Sequence, residues 1–140
     1  MRGKDIRKQY KTAATAEFPD QARLLLICVN KTIEWPNLPL LDAVRYSWVL
    51  SPERAAKAEY VLAVAHGLIL GVYVIEPPWM PATKSNFPDI SDDQGNWKKQ
   101  KGRYGFRGQE APKNVWDRYC GKRVPDEWRS HGTPIRYVHF

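Results

Sequence analysis

The apolar positions of this chain gather into a few short, dense runs. Leu24 to Val29 reads Leu-Leu-Leu-Ile-Cys-Val without a polar interruption. A run that short is a strand rather than a buried helix, and its lack of alternation predicts cover on both faces, as in a central strand. Tyr60–Ala65 and Leu68–Ile75 are two further β-rich runs, separated by His66-Gly67. Two such runs across a two-residue turn predict an antiparallel hairpin. Gly71, inside the second run, predicts a bulge or a close backbone approach.

Helical spacing is sparser. Ile6, Tyr10, Ala13, Ala14 and Phe18 recur as on one helix face, which predicts an N-terminal helix ended by Pro19. Ser51-Pro52-Glu53 is a helix start, with an N-cap serine, proline in the first turn and an acid beside it, and predicts a helix Pro52–Ala58. Pro112 opens a second short helix with Val115, Trp116 and Tyr119 on one face and Gly121 as its stop.

Between these elements lie connections. Residues 31–44, with Pro36 and Pro39, read as a long one, and Pro77, Pro78 and Pro81 around Trp79 end the second hairpin strand. Residues 83–102 are polar, hold Asp89, Asp92 and Asp93, and lack periodicity. Arg103–Arg107 alternates charged and apolar residues as a strand ended at Gly108, and Pro134–Phe140 alternates as a closing strand. Together these predict an α+β fold: a small curved mixed sheet or open pseudo-barrel of five to six strands with two to three short helices. Residues 1–20 form a basic N-terminal extension or helix, and 21–140 one domain with a polar loop at about 83–102.

Composition adds limits. At 140 residues, one domain is expected. Cys28 and Cys120 are far apart, form no CxxC pair and have no histidine at zinc-ligand spacing, so reduced thiols, no metal, no cofactor and a cytoplasmic location are expected. No apolar run reaches membrane-spanning length, so no membrane partner is expected.

Charge changes the picture more. Between Trp97 and Arg123 stand nine Lys or Arg residues and two acids, Glu110 and Asp117, an excess equal to the net charge of +7 for the whole chain. Trp97, Tyr104, Phe106, Trp116 and Tyr119 interleave these charges. Cations for phosphates and rings for bases are what nucleic acid asks of a protein. Lys101, Arg103, Arg107, Lys122 and Arg123 are the candidate phosphate contacts. The plain alternative is the solvent face of an edge strand. Alternation sends residues 103, 105 and 107 one way and 104 and 106 the other, so the cations and rings of this strand lie on opposite faces.

Base-stacking rings are therefore sought elsewhere. Trp35, Trp48 and Trp79 are the candidates for a pocket that sandwiches a flipped base, with core packing as the alternative. Arg45 and Arg136 could each bond a phosphate or a base edge, or equally pair with Glu53, Glu59 or Glu76. His66 in a turn, His131 in a loop and His139 at the chain end are weak catalytic signals, and no catalytic residue is assigned. Gly71-Val-Tyr73 echoes half of a GIY-YIG nuclease motif, but Pro-Trp-Met-Pro stands where the second half belongs. No phosphate-binding glycine loop accompanies Gly102, Gly105 and Gly108.

The order of Leu24–Val29, Ser51-Pro52-Glu53, the hairpin Tyr60–Ile75, Gly102-Arg-Tyr-Gly-Phe-Arg-Gly108, Tyr119-Cys-Gly-Lys-Arg-Val-Pro125 and a closing strand resembles the PUA-like superfamily of PUA, ASCH, EVE and YTH modules. In particular it looks like the small bacterial and phage branch, some of whose members lie beside nuclease and restriction genes. The resemblance spans residues 24–140 and implies a pseudo-barrel that binds RNA or DNA, with recognition of a modified or flipped base as its most specific form. The ASCH signature GxKxxExR is absent, and with it the basis for a ribonuclease reading. The expected function is a nucleic-acid-binding module without catalysis of its own. Its rivals are a nuclease or nucleotide-processing enzyme of a defence or RNA-processing system, and a protein-interaction module that binds an acidic partner.

Overall fold

The structure is a computed structural model that describes residues 3–30, 39–46, 48–88, 102–129 and 132–140. Trp35, Lys101 and His131, with most of the polar loop expected at 83–102, lie outside the described residues.

The fold is α+β, with a five-stranded mixed open sheet and, among the described residues, four short α-helices. In chain order these are α1 (Gly3–Tyr10), β1 (Leu24–Cys28), α2 (Leu40–Arg45), α3 (Pro52–Ala55), β2 (Tyr60–Ala65), β3 (Leu68–Pro81), β4 (Tyr104–Glu110), α4 (Lys113–Tyr119) and β5 (Ile135–Val138). The strand order is β4-β3-β2-β1-β5. β1 runs parallel to β2 and antiparallel to β5, so the carboxyl ends of β1 and β2 share one end of the sheet with the start of β5.

The unbroken apolar run of β1 follows from its place in this order. Leu25 and Ile27 enter one core with Val61, Ala63, Tyr73 and Phe106, under α2 and α3. Leu24 and Leu26 enter a second core on the opposite face with Leu62, Val64 and Val72, under α4. A strand buried on both faces has no position for a polar side chain. The hairpin forms as its pattern predicts, with Val64 opposite Ile69 and Ala63 opposite Gly71, which leaves Leu70 as the bulged residue. A Cβ on Gly71 would stand 2.8 Å from the Tyr73 hydroxyl, so this glycine also permits a close approach.

Four expectations are corrected. The N-terminal helix stops at Tyr10 rather than reaching Pro19. Beyond it the backbone is extended: Ala16 donates to the Arg123 carbonyl and Arg123 donates to that of Ala14, each at 2.8 Å. This distant pairing outweighs the helical spacing of Ala13, Ala14 and Phe18. The stretch 31–44 contains α2, whose Ala43 and Val44 are buried. Ser51 caps α3 as expected, accepting from Arg54 N, but the helix ends at Ala55 because its last turn tightens into Lys57–Arg54 and Ala58–Ala55 bonds. Finally, Pro77 and Pro78 do not end β3, which runs on to Pro81. Pairing with β4 lapses between Glu76 and Met80 and resumes, so Pro77 and Pro78 stand in a gap where no N–H is required.

α4 forms with Val115 and Tyr119 buried and Gly121 at φ +82° just past its end. Among the described residues no helix is long and apolar enough to cross a membrane.

Candidate functional site

Where β1 and β2 end, the turn His66-Gly67 and the chain around 124–129 enclose a recess of about 60 Å³. In open sheets with parallel strands, ligands favour the crevice beyond the carboxyl ends of those strands. Leu26, Val64 and Val124, all buried, are part of its apolar lining. The polar side chains on its walls come from four separate segments.

His66 stands at φ +51° and Gly67 at φ +81°, the backbone of a two-residue turn with two left-handed positions. Asparagine or glycine is the ordinary choice at the first of these, and a histidine there carries strain of about 1–2 kcal/mol. The Asn30 side chain accepts the His66 backbone N–H at 2.9 Å and holds the turn against β1. Gly67 is favoured by its φ, and a Cβ there would lie 2.7 Å from the Arg129 guanidinium carbon, so that group would have to shift.

Arg129 is fixed from its other side. It donates to the Tyr10 hydroxyl at 2.8 Å and lies 5.4 Å from that ring's centre, while Arg123 lies 5.1 Å from the same ring and donates through Nε to the Ala13 carbonyl. One tyrosine of α1 thus serves two guanidinium groups.

A 3₁₀ turn, Asp126–Trp128, presents the Trp128 ring to the recess. Arg136 of β5, in register with Leu26, lies 5.8 Å from the centre of that ring, and His139 meets it edge-on at 5.0 Å. Arg136 Nε and His139 Nε2 are buried and have no hydrogen-bond partner among the described residues. No Asp or Glu lines the recess among the described residues. Two guanidinium groups on such a lining make a seat for an anion.

The residues singled out by charge and aromaticity divide between this recess and the far edge of the sheet. Arg136 lines the recess, Arg123 is tied to it through Tyr10, and Lys122 is half-buried beside Arg123. Arg103 and Arg107 are exposed at β4, four strand spacings from β5, or about 19 Å. Arg107 donates to the Asn86 carbonyl at 2.8 Å. Arg45 is 8% exposed and bonded to Asp42 at 2.7 Å, so its carboxylate is not one of the three glutamates considered. Trp79 is 4% exposed with its ring 4.9 Å from Phe106. Trp48 is half-buried, donating to the Val44 carbonyl at 2.7 Å. The structure therefore brings Trp48 and Trp79 to the β4 side and does not join them to Arg136.

Sequence reasoning missed Tyr10, Trp128 and Arg129, and gave His66 little weight. A histidine at the first position of a two-residue turn was the available signal, because that position ordinarily takes Asn, Asp or Gly. The thiols offer less. Cys120 donates to the Leu70 carbonyl and burial pushes its pKa up, which keeps it protonated and unreactive. No group of three or more His, Cys, Asp and Glu residues able to hold a metal occurs among the described residues. No family model matches the chain, and no curated protein matches it in sequence.

Proposed function

We infer that this protein is a nucleic-acid-binding module whose recess at the carboxyl ends of β1 and β2 receives an anionic group of the strand. The presence of Arg129, Arg136 and Trp128 on one recess with no acid on its lining among the described residues, and with Arg136 Nε unpartnered among them, supports this reading above all else. The Arg136 guanidinium has no acceptor among the described residues, and a phosphate oxygen in the recess would supply one to its outer N–H groups.

Size favours a large ligand over a small one. Pockets that enclose a whole small molecule run to roughly 300–1,000 Å³. At about 60 Å³ this recess takes one group, and the remainder of the ligand must lie on the surface outside. The protein as a whole is basic, with a net charge of +7 and exposed Arg7 and Lys8 on α1. A polyanion suits it.

Fluorescence anisotropy with labelled single-stranded and duplex oligonucleotides tests the reading. Binding should weaken steeply as salt rises, and Arg136→Gln should lose at least tenfold in affinity with the fold intact by circular dichroism. If no single strand, duplex or methylated duplex binds at low salt, the reading is wrong.

A further inference from the structure

Resting on that function, we propose that the recess recognises the end of a strand: a terminal phosphate monoester, in preference to an internal phosphodiester. The first argument is volume. One water needs roughly 10–15 Å³, so about 60 Å³ has room for four to six, the scale of one phosphate with its oxygens. The second is shape. Leu26, Val64 and Val124, whose side chains are buried, are part of the lining, and a recess of about 60 Å³ seats a phosphate but no nucleoside beside it. An internal diester has a nucleoside on each side of its phosphorus, whereas a terminal phosphate has one and can be inserted head first.

Charge is the third argument. A phosphate monoester carries about −1.5 to −2 at neutral pH and a diester only a single charge. Arg129 and Arg136 both line the recess, one bonded to Tyr10 and the other carried by β5, with no carboxylate on the lining among the described residues. Two fixed guanidinium groups match the doubly charged end better than the singly charged link. Trp128, with Arg136 near its ring, offers the first nucleotide outside the recess an apolar face.

Three oligonucleotides of one sequence decide the matter: one with a 5′-phosphate, one with a 3′-phosphate and one with hydroxyls at both ends. The full chain should bind one of the two phosphorylated strands at least tenfold more tightly than the hydroxyl-ended strand. The choice between them identifies the end recognised. Inorganic phosphate in millimolar amounts should erase that advantage, and Arg136→Lys, which keeps the charge but loses the planar fork, should reduce it. If all three strands bind equally and with the usual salt dependence, the terminal-phosphate proposal is overturned while nucleic-acid binding stands. If none binds, both fall. Competition by inorganic phosphate without any preference among the strands also overturns the proposal, because the recess then holds a free anion rather than a strand end.

Discussion

The two ends of the strand order, β4 and the recess beside β5, both carry arginines, yet those arginines are held in different ways. At β4, Arg107 is exposed and bonded to a backbone carbonyl, and nearby Arg45 is buried against Asp42. At the recess, Arg129 and Arg136 are half-buried, set against aromatic rings, and share a lining with no acid among the described residues. A count of charges ranks β4 and its flanks first, because the segment 97–123 contains the whole net excess. What a ligand can use depends instead on which donors lack an acceptor, as Arg136 Nε does among the described residues while Arg129 is bonded to Tyr10. By that measure the recess ranks first.

The largest test of this contrast concerns the tryptophans. Trp79→Ala should destabilise the protein by about 3–5 kcal/mol in chemical denaturation, since it empties a buried ring site beside Phe106. Trp128→Ala should cost much less stability and instead reduce oligonucleotide affinity; equal stability losses would erase the distinction between a core ring and a site ring. Next, Gly67→Ala should cost about 1–2 kcal/mol, because its left-handed backbone disfavours a side chain and the new methyl strikes Arg129. Affinity should fall with it.

For the arginines, Arg136→Gln should lower affinity at least tenfold, about 1.4 kcal/mol. Arg107→Ala should lower it only two- to threefold and reduce the slope of log affinity against log salt by about one. A reversal of these two effects would move the site to β4. The smallest effect is expected at the turn. His66→Asn should raise stability by roughly 0.5 kcal/mol, as asparagine tolerates the left-handed position better. It should also weaken binding. A histidine retained there only for folding would give the stability gain with no loss of affinity.

The sheet was more legible than the site. β1 and the β2–β3 hairpin announce themselves because burial on both faces forbids polar residues, and that leaves a local mark in the sequence. The end of α1 left no such mark, since the backbone of 14–16 is fixed by Arg123, far along the chain. The same holds for the recess. Tyr10 and Arg129 meet across 119 residues, so no window of sequence contains both. Arg123 and Arg136 were found because a charge is visible one residue at a time. Trp128, just outside the basic segment, was indistinguishable from a core ring until the 3₁₀ turn before Arg129 positioned it.

The Tyr10 ring that serves Arg123 and Arg129 makes the amino-terminal arm a thermodynamic part of the site. Any group that binds only when Arg129 is held must also favour the folded state of α1, by an amount that grows as RT ln(1 + [L]/Kd). Amide hydrogen exchange in Ile6–Tyr10 should therefore slow when a phosphorylated strand is added. Conversely, a bulky fusion that frays this helix should weaken binding without touching the recess.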